Sequence, residues 1–285
     1  MQSVPFQKYK PYAKVFRKCI VCSKETQSTI WEKDKYFKAK KCKVCSTVYL
    51  SPVLTDKGLN LYYSQNSLRR SKNSKKNYLR DKQYIIDKEI IENFIDKGNV
   101  LDMGCENGKF LKILNNSFHK YGFDIDTSIS NDINKFAKIN KGNFFEVNYK
   151  ENFFDLIVFR GVIEHLSNPK DYIDRCYNLL KKGGLLYFCA TPNIDCITAN
   201  LYKKKWNLWH PIQHINLFSS KTLSKICNNK RLELISELYP YINTPYEDFE
   251  RDTKKIIKDA KFKNKLVSKS PPYFGSMMSL IYKKR

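Results

Sequence analysis

The sequence predicts an α/β fold built on a doubly wound, mostly parallel sheet, with a small cysteine-rich module in front of it. Three observations predict this. Between residues 99 and 190, short apolar runs alternate with segments of helical period, the order that places helices between parallel strands. The stretch Val100-Leu101-Asp102-Met103-Gly104-Cys105-Glu106-Asn107-Gly108-Lys109-Phe110 passes from apolar strand through a glycine turn into an amphipathic helix. Near the N-terminus, Cys19-Ile20-Val21-Cys22 and Cys42-Lys43-Val44-Cys45 are two C-x-x-C pairs separated by nineteen residues.

The first unit is residues 1–66. Two thiolates three positions apart on a tight turn point at one ion, and a second such turn completes a tetrahedron. Cys19, Cys22, Cys42 and Cys45 are therefore expected to hold a structural zinc in a zinc-ribbon-like module. A unit this small buries little core, so the metal would supply its stability. A redox role for the same thiols would need a βαβ context, and none surrounds them. The intervening Thr29, Ile30, Trp31, Tyr36 and Phe37 read as a short hairpin. After Pro52, Leu59, Tyr62 and Tyr63 share one face of a helix.

The second unit is residues 67–285. The polar, basic run 64–77 reads as a linker or loop, solvated or in contact with phosphate. From Tyr78 to Lys97, Ile85, Ile86, Ile90, Ile91, Phe94 and Ile95 recur at helical spacing. A strand at 99–103 and a helix to about Asn115 follow. Then come a strand at 120–125, a helix near 129–139 and a strand at 143–147. Next are a strand at 155–160 and a helix from Pro169 to about Leu180. Lys181-Lys182-Gly183-Gly184 should cap and turn that helix before a strand at 185–190. An aromatic loop spans 206–218, Ser219 opens a further helix, and 246–268 is a charged helical insertion.

The glycine turn reads D-x-G-x-x-x-G, not the G-x-G-x-x-G of a dinucleotide site, so a ligand without a pyrophosphate suits it better. About twenty residues on, Tyr121-Gly122-Phe123-Asp124-Ile125-Asp126 is a second strand ending in carboxylates. An acid there sits at the neighbouring strand's C-terminal end, where it can bind a ribose diol.

These motifs resemble the class I S-adenosylmethionine-dependent methyltransferases. VLDMGCENGKF matches the first motif and GFDID the second; FDLIVFRGVIEHL and LLKKGGLLYFCATPN match the fourth and fifth strands. The resemblance covers residues 80 to 240 well. It implies a Rossmann-like sheet with one antiparallel strand, near 276–283, and S-adenosylmethionine as cofactor. Asp102, Gly104, Cys105 and Gly108 would shape the cofactor loop, Asp124 would bind the ribose, and Asn148 would meet the adenine edge. The family usually has a small residue, often glycine, where this chain has Glu106. The cysteine module followed by a proline and a helix resembles a bacterial methyltransferase subfamily often found among genes for surface polysaccharides or nucleotide sugars.

The resemblance also places two candidate catalytic histidines. His165 follows the fourth strand and His214 comes from the aromatic loop; with four histidines in the chain, two near one cleft stand out. Either could serve as a base, or His165 could cap a helix and His214 pack in its loop. In quinone-biosynthesis O-methyltransferases, which this stretch resembles too, E-x-x-E-H carries a metal. Here Gly161 stands at the first position, so no metal is expected there.

Composition narrows the partners. The net charge of +24 fits a polyanion or a smaller anionic substrate such as a nucleotide-linked sugar. Lysine far outnumbers arginine, which weakens the case for nucleic-acid readout. No apolar run approaches a membrane span and the N-terminus lacks a signal-peptide core, so a soluble cytoplasmic protein is expected. The leading expectation is a methyltransferase acting on a small molecule such as a sugar or nucleotide sugar. The alternatives are an RNA methyltransferase, a quinone-type O-methyltransferase and a non-catalytic binding protein on the same fold.

Overall fold

A computed structural model describes residues 6–33, 35–66, 74–126, 131–228, 230–244, 247–261 and 268–285. Part of the basic run, 67–73, and the start of the helix expected near 129 lie outside the described residues.

The central sheet alternates its side chains between two apolar layers. Its first strands are β6 (Gly98–Met103) and β7 (Phe118–Asp124), and β9 (Phe154–Arg160) and β10 (Leu180–Pro192) lie beside them. Leu101, Met103, Ile157, Phe159, Leu186 and Phe188 face one layer. Val100, Leu156, Val158, Leu185, Tyr187 and Cys189 face the other. That period of two, apolar on both faces, is what a sheet covered by helices on both sides requires. Helices α4 (Pro169–Leu179) and α6 (Ser220–Asn228) fill the first layer with Ile173, Cys176, Leu223 and Ile226. Helices α2 (Ser74–Glu92) and α3 (Lys109–Ile113) fill the second with Ile91, Phe110 and Leu111.

With β8 (Lys138–Lys141), β12 (Leu232–Leu238) and β13 (Met277–Lys284), the sheet has seven strands in the order β12-β13-β10-β9-β6-β7-β8. Among the described strands of this sheet, β13 alone runs antiparallel, paired with β10 and β12 on its two sides. Strand order reverses between β6 and β9, so the loops at their C-terminal ends flank the crevice where such sheets bind ligands.

Three local expectations are corrected. The strand expected at 143–147 is a 3-10 turn, Phe144–Glu146, because the Asn143 side chain accepts the Phe145 N–H and caps it. The third strand is β8, an edge strand whose Lys-Ile-Asn-Lys lacks apolar alternation because only one side of it is paired. In place of a full helix before it, residues 131–135 form a short 3-10 segment. Lys181–Gly184 are not a helix C-cap: β10 starts at Leu180 and absorbs them as a register shift before Leu185, with Gly183 at φ 78°.

The N-terminal strands are β1 (Ala13–Val15), β2 (Gln27–Lys33), β3 (Phe37–Cys42), β4 (Val48–Leu50) and β5 (Val53–Leu54), followed by α1 (Asp56–Asn66). Their main sheet, in the order β11-β4-β3-β2, takes its last strand, β11 (Asn216–Leu217), from the aromatic loop. Trp206 and Trp209 are buried in that junction, with Trp31 edge-on to both at 6.3 and 5.6 Å. Arg17 adds a polar clasp: Nη1 donates to the Ile215 carbonyl at 3.1 Å, and Nη2 to the Ser167 carbonyl and to Asn216 Oδ1. The remaining helices are α5 (Ile197–Tyr202) and α7 (Phe249–Ala260). Among the described residues no helix is long and apolar enough to cross a membrane.

Candidate functional site

The loop between β6 and α3 is held in a shape that side chains resist. Gly104 and Gly108 have φ of 76° and 70°. A Cβ on Gly104 would lie 2.7 Å from Val162 Cγ2, and one on Gly108 would lie 2.2 Å from Ile133 Cδ1. Both positions therefore require glycine for conformation and for space. Gly104 is thus pressed against the β9 loop across the crevice.

Asp124, at the end of β7, ties the turn from the other side. Its Oδ2 accepts the Glu106 N–H and its Oδ1 the Asp126 N–H, each at 2.9 Å. Each carboxylate oxygen keeps lone-pair capacity for a ligand. Burial raises the Asp124 carboxyl above its ordinary range, although the Asp126 and Glu106 N–H groups oppose this. Glu106 sits at φ 47° with its side chain exposed, which explains why a small residue is at home there.

Asp102 is 3% exposed, and its Oδ1 has no hydrogen-bond partner among the described residues. Burial pushes its carboxyl up to about 8, against the pull of Arg160 and with added repulsion from Asp124 and Glu106. A buried acceptor left unpaired at the head of a cleft awaits a donor or a cation.

Cys105 also lies in the loop, but its side chain is buried in the layer under Gly122. Its backbone N–H is taken by the Phe123 carbonyl at 3.1 Å. Asn148 is exposed beyond the 3-10 turn and lines a shallow cleft of about 390 Å³ with Arg175 and Asn178. Gly142 is next to Asp124, since its N–H donates to the Asp124 carbonyl at 3.0 Å, and Asn143 follows it. The signal was available in Lys-Gly-Asn, a turn triplet after a short β-run.

The structure brings His165 and His214 together, with ring centroids 5.0 Å apart, and His210 stands 5.3 Å from His214. His165 closes the 3-10 turn Ile163–His165 that follows β9. His214 is placed by its loop: Nδ1 lies 2.6 Å from the Leu208 carbonyl, and Asn216 Nδ2 donates to the Leu166 carbonyl at 2.7 Å. The Leu208 carbonyl can only accept, so His214 Nδ1 carries the proton and Nε2 the lone pair. Burial lowers His214 to about 4 and His210 to about 3, the latter also repelled by His214. Sequence reasoning meets Glu164 only as the acid beside His165 in the E-x-x-E-H comparison and gives it no role. Glu164 is 2% exposed, its Oε1 lies 3.9 Å from His165 Nε2, and burial pushes it up to about 8.

Behind the crevice, α2 is fastened by a buried polar network that sequence reasoning missed. Asp87 accepts from Arg160 Nε at 2.8 Å and from the Tyr241 hydroxyl at 2.7 Å, and Arg160 stacks on Tyr84 at 3.9 Å. Nothing in local pattern marks residues 73 and 154 positions apart as partners.

In the N-terminal unit, the four cysteine sulfurs lie within 4.8 Å of one another, with Cys19–Cys45 at 3.3 Å and Cys22–Cys42 at 3.6 Å. Four sulfurs around zinc at ~2.3 Å would stand about 3.8 Å apart, so the set fits the ion. Burial raises the Cys45 thiol, but the Thr47 hydroxyl and N–H and the neighbouring thiols outweigh that and bring it to about 7.

Comparison with known proteins identifies the family. The family described as "Methyltransferase domain" matches residues 78–237, more than half the chain. An uncharacterized protein of Methanocaldococcus jannaschii is 27% identical over 197 residues, 65% of this chain and 71% of that protein. The fold is similar to that of a SAM-dependent methyltransferase from Thermotoga maritima, with TM-score 0.51 and 15% identity over 80% of this chain and 99% of that one. It is also similar to a protein of Pyrococcus horikoshii, with TM-score 0.51 and 14% identity over 79% of this chain and 99% of that one. The chain belongs to the methyltransferase-domain family and is an S-adenosylmethionine-dependent methyltransferase of class I fold.

Proposed function

We propose that the enzyme methylates a small, oxygen-rich acceptor, a sugar or nucleotide sugar, held between the β9 loop and the loop that carries His214. The observation that carries this reading is the apposition of His165 and His214 beside Val162, which itself packs on Gly104 of the cofactor loop. S-adenosylmethionine supplies an already activated methyl group, so the chain's task is to align the reactants and exclude water. Asp102 would take the cofactor's ammonium, its buried Oδ1 being the acceptor in need of a donor. Asp124 would accept from the ribose hydroxyls, and Asn148, or Asn143 beside Gly142, would meet the adenine edge. Gly104 and Gly108 would let the backbone approach. Cys105 would contribute only through its backbone. A proton leaving an acceptor hydroxyl would pass to one of the histidines; burial holds His214 neutral, with a lone pair to receive it. The four thiols would hold a structural zinc that fixes the unit clasping the His214 loop.

The net charge of +24 supports a second reading, an RNA acceptor. One screen separates the two. Purified enzyme is incubated with methyl-labelled S-adenosylmethionine and either a panel of nucleotide sugars or bulk RNA. Label in a sugar fraction upholds the first reading; label in RNA alone replaces it with the second.

A further inference from the structure

We propose that Glu164, His165 and His214 form a second metal site, separate from the four thiols, that takes a divalent cation of the zinc or iron(II) class. Its open coordination position would face the cleft and receive an acceptor oxygen. That last role rests on the methyltransferase reading above, with the ion acting on the acceptor oxygen in place of a free histidine base; the binding of the ion does not rest on it.

Neighbours in a chain normally diverge, but the backbone after β9 prevents this. Gly161 adopts φ 61° and the chain then enters a single 3-10 turn, so Glu164 and His165 end with donor atoms 3.9 Å apart. His214 arrives from 49 positions later, held by the Asn216 bridges to the Ile163 and Leu166 carbonyls and by the Trp31, Trp206 and Trp209 junction. One donor atom from each of the three residues lies within 4.8 Å of the others. Donors bound to one ion at about 2.0–2.2 Å stand roughly 3–4 Å apart, so small side-chain rotations close the shell.

Two independent features point to a ligand. Glu164 Oε2 is buried without a hydrogen-bond partner among the described residues, in a side chain 2% exposed. An unpaired buried carboxyl is costly, and a cation removes that cost. His214 carries the support that a ligating histidine usually has: its far nitrogen donates to a main-chain carbonyl, which fixes the tautomer and leaves Nε2 to coordinate. Two nitrogens and one carboxylate favour a borderline ion over magnesium or calcium. Three protein donors leave a position open, the arrangement of catalytic sites, in contrast to a closed four-thiol site. The competing occupant is a proton on Glu164.

The test uses the full chain without S-adenosylmethionine, stripped with chelator and dialysed against cobalt(II). Metal content and the thiolate-to-cobalt absorption are both measured. Wild-type protein should bind about two equivalents, and Glu164→Gln and His214→Ala about one each, with the thiolate band unchanged. The unchanged band shows that the N-terminal unit is still folded. One equivalent in the wild type, or two retained in both variants, overturns the site. A measurement on the unaltered chain guards against misfolded variants. Zinc added after the thiols are saturated should shift the ring nitrogens of His165 and His214 but not those of His119; an unmoved His214 overturns the site as well. Because no cofactor is present, failure here leaves the methyltransferase reading intact.

Discussion

Replacing Asp102 with asparagine should stabilise the cofactor-free enzyme while weakening its grip on the cofactor. The carboxyl is 3% exposed with one unpaired oxygen, and burial raises it to about 8. An unfolded aspartate titrates near ~3.9. Between those values the unfolded chain has lost a proton that the folded chain keeps, so stability falls as pH rises. The slope is about 1.4 kcal/mol per pH unit, or roughly 2–3 kcal/mol from pH 5 to 7. Asp102→Asn removes this component and leaves the others, among them Glu164 and Glu247, which are raised to about 8 and about 7 by burial. Urea unfolding of both proteins at pH 5, 6 and 7 reads the difference. The stability gap should open in favour of the variant as pH rises. Parallel curves would refute the claim that Asp102 is held protonated. The same shift predicts that cofactor binding at pH 7 expels close to one proton, as the arriving ammonium converts the acid to carboxylate. Calorimetry in two buffers of different ionisation enthalpy measures that proton, and Asp102→Asn should abolish it.

Three further outcomes follow from the geometry. Gly108→Ala should cost about 2–4 kcal/mol through positive φ and collision with Ile133, read as a lowered urea midpoint. Glu106→Gly should gain about 1 kcal/mol by relieving a left-handed residue, with a raised midpoint as the check. Cys42→Ser should release the zinc and loosen the junction. The chain's three tryptophans all sit there, so their emission should shift to the red; unchanged metal content would contradict the four-thiol site.

Much of the architecture could be read before any coordinates, for a physical reason. The central strands are buried on both faces, so their apolar runs are continuous, and the cofactor turn advertises itself through Gly104 and Gly108. The cysteine pairs likewise carry their chemistry in their spacing. Local pattern failed where the determinant is not local. Strand β8 is an edge, so its lysines hide it, and Asn143 turns the chain just where aromatic residues suggest a strand. Glu164 stands beside His165 in the sequence, but only the tertiary fold shows that its carboxyl is buried and that His214 comes within reach of both. The aromatic loop reads as the source of His214, and its Trp206 and Trp209 are buried as the joint to the N-terminal strands. The network that pattern missed, Asp87 with Arg160 and Tyr241, is joined across the fold.

The most direct measurement is a calorimetric titration of metal-loaded protein with S-adenosylmethionine, repeated with Asp124→Ala. The wild type should give saturable heat at about one site per chain, and the variant should give none while keeping its circular dichroism spectrum. Heat that survives the substitution undiminished, or no heat from the wild type, would contradict the placement of the cofactor in the turn between β6 and α3.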